Sequence, residues 1–361
     1  MERITKRGAA RRLLMAVSAG VVACCSLVSM SCLSASYVIV WERTAPAPCM
    51  SVDVDNEGTV LVAMWSLGAQ LIGPDGAVEW VHEVGPGVSC TGATMSPDGS
   101  RIAVTDTAGH VRLLTRAGEV VAEAVVEEAE YISRPNLSEN GELLLLTLDG
   151  NPCVMTAIGG DLLGPTVLGE LFEGKGGCVT AISADGECIV AGCSSDPQES
   201  GYPSDFDIHL LDRDGNVLWS YEVPWMPQTA IGISASGDTI AVPVGDEIYV
   251  LDKGGREVSR IRTGTLGEVS TSASGDEIVS VQCEGGDKPG AVRVTDPHGV
   301  VDWQWEDAWD CADSFPALAV SPDAKSLVIA IGDRVVLLRR QLQCPFETGR
   351  GRLRQRLANR A

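Results

Sequence analysis

Residues 93–104 read ATMSPDGSRIAV: a short apolar strand, a four-residue turn ending in Gly99, and a second apolar strand. The turn's chemistry is explicit, because Ser and Asp side chains bond back to nearby backbone and Gly accepts the left-handed conformation a tight hairpin needs. The same unit returns as VDVDNEGTVLVA (52–63), PNLSENGELLLL (135–146), TAISADGECIVA (180–191), GISASGDTIAV (232–242), VSTSASGDEIVSV (269–281) and LAVSPDAKSLVIA (318–330). The last turn position falls at 58, 99, 141, 186, 237, 275 and 324, with gaps of 41, 42, 45, 51, 38 and 49 residues. Seven copies establish an internal repeat. In the seventh, Ala324 stands in the Gly place, which predicts a slightly strained or differently shaped turn.

A second hairpin lies inside each period, with turns GPDGAVEW (73–80), TRAGEV (115–120), AIGGDLL (157–163), LDRDGNVLW (211–219), LDKGGREV (251–258) and TDPHGVVDW (295–303). Each repeat therefore holds four strands, A to D, with short turns at A–B and C–D. Four strands in every period of 38 to 51 residues predict an all-β fold, a seven-bladed β-propeller. The composition agrees: Gly is abundant at 40 residues and aromatics make up 5% of the chain. The blades are expected at about 49–84, 90–126, 132–170, 178–224, 229–263, 268–305 and 315–341.

The last repeat stops early. Its strand C is DRVVLLRRQ (333–341), and no second turn or strand D follows. YVIVWERT (37–44) supplies the missing piece, since it has the spacing of strand D in AVEWVHEV (77–84), NVLWSYEV (216–223) and VVDWQWED (300–307). Pairing residues 37–44 beside the last strand C closes the ring and satisfies edges an open array would leave unpaired.

The S-P-D-G turns resemble those of WD-repeat propellers, and the D-x-x-G-x-x-x-W turns resemble the PQQ-like repeats of quinoprotein dehydrogenases and outer-membrane assembly propellers. The likeness covers about residues 37–341 and implies fold rather than activity. The chain departs from both patterns. It has no G-H…W-D pair, and Trp is missing from the second hairpins of blades two, three and five. Adjacent cysteines, which cap the quinone in some quinoproteins, occur only as Cys24-Cys25. PQQ is therefore not expected.

The opening residues 1–12 are basic, and LLMAVSAGVVACCSLVSMSCLSA (13–35) carries no charge, enough for one membrane-spanning helix. The basic flank would stay inside, placing residues 36–341 outside the cytoplasm. A cleaved secretory signal ending at Leu33-Ser34-Ala35, or a lipoprotein box Val21-Val22-Ala23-Cys24, gives the same compartment with a secreted or lipid-anchored product. The net charge of −22 hides a more acidic body, because five Lys/Arg lie in residues 1–12 and seven Arg in 339–361. Such a body repels phosphate backbones, so nucleic acid is not an expected partner. The basic tail, 342–361, is expected to leave from the short-turn face beside the anchor, where it could meet anionic headgroups or fold onto the acidic body.

Strand direction turns connection length into geometry. A–B and C–D turns share one face; B–C and D–A connections share the other. Every long insertion belongs to the second class: SSDPQESGYPSDFD (194–207), VPWMPQ (223–228), CEGGDKPG (283–290) and WEDAWDCADSFP (305–316). Insertions clustered on one face mark a binding face. Tyr202, Phe206, Trp225, Trp309 and Phe315 are its candidate partner-binding residues, as aromatics bury much area at low entropy cost. Folding back over their own blades is the competing reading. Asp196, Asp205 and Asp207, with Glu199 nearby, form a candidate calcium site, since hard cations take carboxylate oxygens, although no EF-hand spacing is present.

Twelve Cys include nine outside 13–35, an odd number without a C-x-x-C doublet. Cys49, Cys90 and Cys178 fall near the channel mouth on the long-loop face, and a Cys49–Cys90 disulfide between adjacent blades is one pairing this allows. Four His are scattered at 82, 110, 209 and 298, with no H-E-x-x-H, G-x-S-x-G or phosphate loop. The recurring Ser96, Ser138, Ser183, Ser234, Ser272 and Ser321 read as turn residues rather than nucleophiles. The expected function is a membrane-tethered module that binds a protein or cell-envelope component through the long-loop face. The alternative is a receptor or enzyme with a site at the channel mouth.

Overall fold

The computed structural model describes residues 34–126, 132–158, 160–168, 178–194, 206–225, 230–264, 266–282, 290–307 and 316–343. Among them are 28 strands and no helix. Strand β1 (Ser34–Thr44) comes first. Blade 1 is β2 (Cys49–Val54), β3 (Val60–Met64), β4 (Gly68–Ile72) and β5 (Val78–Glu83); blade 2 is β6 (Cys90–Met95), β7 (Arg101–Asp106), β8 (His110–Thr115) and β9 (Val120–Val125). Blade 3 is β10 (Asn136–Leu137), β11 (Leu143–Leu148), β12 (Asn151–Ile158) and β13 (Asp161–Val167); blade 4 is β14 (Val179–Ile182), β15 (Cys188–Ser194), β16 (Phe206–Asp212) and β17 (Val217–Val223). Blade 5 is β18 (Gly232–Ile233), β19 (Thr239–Val244), β20 (Glu247–Asp252) and β21 (Glu257–Arg262); blade 6 is β22 (Leu266–Thr271), β23 (Ile278–Gln282), β24 (Gly290–Thr295) and β25 (Val301–Asp307). Blade 7 is β26 (Ala317–Val320), β27 (Ser326–Ile331) and β28 (Arg334–Gln343), with β1 hydrogen-bonded beside β28 as its outer strand.

The chain is thus a seven-bladed β-propeller of four-stranded antiparallel blades, closed by its first strand. Two units are distinguished: residues 38–339 make the propeller, and the described part of the other is residues 34–37 and 340–343. Strand β1 begins at Ser34, three residues before the sequence reading placed it, so the last two residues of the uncharged 13–35 segment are strand. The rest of that segment lies outside the described residues, and no helix among those described is long and apolar enough to cross a membrane.

The seven A–B turns share one solution. The N–H at the Gly position donates to the carbonyl three residues earlier at 2.7–3.1 Å in every copy. In six of them the buried Ser hydroxyl accepts the N–H five residues on, at 2.9–3.2 Å. Asp55 does this work in blade 1, accepting the Thr59 N–H at 2.7 Å. All seven turn positions have φ between 57° and 87°, Ala324 included at 57°. The recurrent serines are therefore structural. Further bonds string these turns together, with the N–H groups of Glu139, Asp185, Ala235 and Ala273 donating to Ala184, Ala235, Ala273 and Pro322, and Asp323 donating to the Asn56 side chain.

Second strands are the most deeply buried, every residue of β3 being fully so, while outer strands such as β5 alternate exposed and half-buried. That alternation follows from the period of two in a strand that is covered on one face. Hydrophobic clusters form between neighbouring blades: Val335 and Leu337 of blade 7 pack with Val60 and Val62 of blade 1, and Leu61 and Leu71 with Ile102 and Val104 of blade 2. Each such side chain contributes about 1.5–3 kcal/mol by burial. Tryptophans on outer strands then dock on the next blade's C–D turn. Trp80 Nε1 donates to the Arg116 carbonyl at 2.8 Å, and Trp219 Nε1 to that of Lys253 at 2.9 Å, with the indoles lying over Gly118 and Gly255. Where Trp is missing, Leu168 and Ile261 sit against Gly215 and Gly299.

Candidate binding face and channel mouth

The wide chain intervals run from Val125 to Asn136, Val167 to Val179, Ser194 to Phe206, Val223 to Gly232, Gln282 to Gly290 and Asp307 to Ala317. By strand direction all six open on the face opposite the bonded A–B turns. Of the sequence-derived aromatics, Tyr202, Trp309 and Phe315 lie outside the described residues. Trp225 is 65% exposed, beside Gly245 in the B–C turn of blade 5. Phe206 is not an exposed anchor: as the first residue of β16, opposite Ser194 and Val223, it is buried in the core shared by blades 4 and 5. The same face carries two apolar residues that sequence reasoning passed over, Met50 and Trp65, each 44% exposed. Trp65 sits in the short B–C turn of blade 1, where no insertion drew notice to it.

The innermost strands enclose a channel. Its long-loop end is a cavity of about 570 Å³, and a smaller one of about 260 Å³ lies at the short-turn end; the two share Asp53, Ile182, Ile233, Thr271 and Val320. Arg134, just ahead of β10, reaches across to Glu268 on β22 at 2.7 Å and donates a second bond to the Val52 carbonyl at 2.9 Å. Glu268 also accepts the Leu318 N–H at 2.6 Å, so this one pair links blades 1, 3, 6 and 7. Burial pushes the Glu268 pKa up, against the opposing pull of Arg134 and the Leu318 N–H. Asp53 is held by the Thr94 hydroxyl at 2.9 Å and the Met95 N–H at 2.8 Å. No sequence signal announces Arg134 or Glu268; they are 134 residues apart and belong to no motif.

The cysteine expectation needs correction. Cys49 and Cys90 are free, buried thiols in different hydrophobic clusters, each facing its own blade's second strand at Met64 and Asp106. The disulfide is instead Cys178–Cys193, with Cα atoms 4.4 Å apart across the first two strands of blade 4. Burial pushes the Cys49 and Cys90 thiols up to about 12, with Asp333 adding to it at Cys49. Of the candidate calcium ligands, Asp196 and Asp205, with Glu199, lie outside the described residues. Asp207 sits on β16 opposite Cys193, and no metal-holding group of three appears among the described residues.

His110 and His209 serve local structure. His110 and Arg112 both meet the fully buried Asp106, at 3.1 and 2.7 Å, and Arg112 continues to Glu123 at 2.8 Å. His209 bonds Ser220 at 2.8 Å. Burial, then nearby Arg112, holds the His82 pKa below its usual value.

No known protein family matches the sequence, and no curated protein matches it either. The fold is widely shared: 1682 chains of solved structures match. One belongs to a structure described as "Crystal Structure of Mitotic Checkpoint Complex", with TM-score 0.65, 15% identity, and coverage of 84% of this chain and 91% of that one. At this identity the likeness establishes the fold.

Proposed function

We propose that this propeller is an extracytoplasmic interaction module, tethered to a membrane by residues 13–35, that docks a protein or cell-envelope component on its long-loop face. One observation carries the reading. The seven A–B turns of one face are closed by repeated short bonds, whereas every wide connection and the exposed Trp225 belong to the other. A rigid scaffold presenting variable connections and an exposed indole suits partner docking. The fold itself fits protein interaction, and a disulfide at Cys178–Cys193 suits an oxidising compartment. The acidic body favours a partner surface with basic groups.

The test is crosslinking and co-purification of the full-length protein from its native membranes beside a Trp225→Ala, Trp309→Ala variant. A partner held by the native chain and lost from the folded variant supports the reading and its face. Identical capture by both, or specific capture by neither, defeats it.

A further inference from the structure

We propose that the long-loop mouth of the channel binds a small, neutral, polyhydroxylated molecule of polyol or monosaccharide class, seated against Arg134, Glu268 and Thr271. This goes beyond the docking role above and does not depend on it. A cavity of about 570 Å³ falls within the range of small-ligand sites, roughly 300–1,000 Å³. Its polar groups are only partly used. Two of the guanidinium's five donors reach protein acceptors, at Glu268 and the Val52 carbonyl, and the side chain remains 27% exposed. Thr271 borders the cavity, and its hydroxyl, shielded in this rotamer, has no hydrogen-bond partner, so a turn about the Cα–Cβ bond would bring it to a ligand.

Charge selects the ligand class. The charged side chains lining the cavity are Asp53, Arg134 and Glu268, so carboxylates outnumber the one cation and repel a second anion. A cation would need a carboxylate whose charge is uncompensated. Glu268 is paired with Arg134 and accepts the Leu318 N–H on its other oxygen, while Asp53 accepts from Thr94 and Met95 on one oxygen and from the Val54 N–H on the other. A neutral molecule offering oxygen acceptors to Arg134 and hydroxyls to Thr271 meets the unused groups without adding charge. Thr91, Thr180 and Asn136 extend the polar lining, while Met50, Ile231 and Leu318 offer apolar surface to C–H faces. Mixed lining of this kind fits a sugar-like ligand rather than a wholly apolar one.

The experiment is saturation-transfer NMR with calorimetry on the full-length protein, using myo-inositol, D-glucose and N-acetyl-D-glucosamine as probes. Citrate and spermidine serve as charged comparators. At least one neutral probe should bind, with affinity falling about fivefold or more in Arg134→Lys, which keeps the charge but loses the planar fork, and in Thr271→Val, which keeps the shape but loses the hydroxyl. Should Arg134→Lys fail to fold, Thr271→Val alone decides. Binding of none of the neutral probes, binding of citrate or spermidine alone, or neutral binding untouched by the folded variants overturns the proposal.

Discussion

Trp41 lies over Gly76: a Cβ on that glycine would stand 3.1 Å from the indole ring. Trp41 belongs to the first strand of the chain and Gly76 to the C–D turn of blade 1, so the contact repeats at the ring's seam what Trp80 and Gly118 do between blades 1 and 2. Within blade 7 Arg334 fastens the closing strand through Glu42 at 2.7 Å, and across the seam Arg339 donates to the Glu57 carbonyl at 2.8 Å. Closure is therefore one more blade junction, made by a strand from the far end of the sequence.

The seam gives a direct stability test. Gly76 has φ of 83°, so Gly76→Ala combines left-handed strain with crowding against the indole, and should cost about 1–2 kcal/mol or more. Trp41→Ala should cost about 2–3 kcal/mol, below the range for a fully buried Trp because the ring is half-exposed. Denaturant midpoints measure both. An unchanged midpoint in Trp41→Ala would separate the closing strand from the fold's stability.

Ala324 holds φ of 57° where the other six repeats have Gly. Ala324→Gly removes that strain, about 1–2 kcal/mol, and adds chain entropy to the unfolded state, about 0.5–1 kcal/mol. The net expectation is a gain of about 0.5–1 kcal/mol, read as a raised Tm. A lowered Tm would mean that the 8% exposed methyl packs well enough to outweigh the strain.

Cys178–Cys193 spans 15 residues of sequence, for which the chain-entropy account gives about 3 kcal/mol. Reduction, or Cys178→Ala with Cys193→Ala, should lower stability by an amount of that order. Peptide mapping under non-reducing conditions should recover these two cysteines as a linked pair, and recovery of both as free thiols would refute the assignment.

Three of the described free thiols should be inert. With the pKa at about 12 for Cys49 and Cys90 and about 11 for Cys153, almost no thiolate exists near pH 8. Iodoacetamide should leave all three unlabelled in the folded protein and label them after denaturation. Rapid native-state labelling of Cys49 or Cys90 would show that its cluster opens.

Asp98 supplies a pH test. Burial pushes its pKa up, but the Ser96 hydroxyl at 2.6 Å and the Ser100 N–H at 3.0 Å outweigh this and hold it below the ordinary value. A carboxyl depressed in the folded state contributes stability above its unfolded pKa and loses it as pH falls through the folded one. Ser96→Ala should therefore raise the Asp98 pKa, seen by carboxyl-carbon NMR titration, and flatten the acid side of the stability profile. It should also cost about 1 kcal/mol by leaving the Arg101 N–H without its hydroxyl acceptor.

The sequence by itself determined the number of blades, the strand order within each, the left-handed turn positions and the origin of the closing strand. These are local properties: Ser96 and Gly99 make the same bonds as Ser183 and Gly186 because each hairpin is solved within a few residues of itself. Orientation followed as well, since strand direction alone assigns each connection to a face. Only the tertiary structure decided the rest. It put Phe206 inside rather than outside, paired Cys178 with Cys193 instead of Cys49 with Cys90, and revealed Trp65 on the long-loop face. It also laid Arg134 against Glu268 across the channel. Such pairings depend on where seven blades converge around one axis, and a repeat pattern holds no distances between side chains that meet only once the ring has closed.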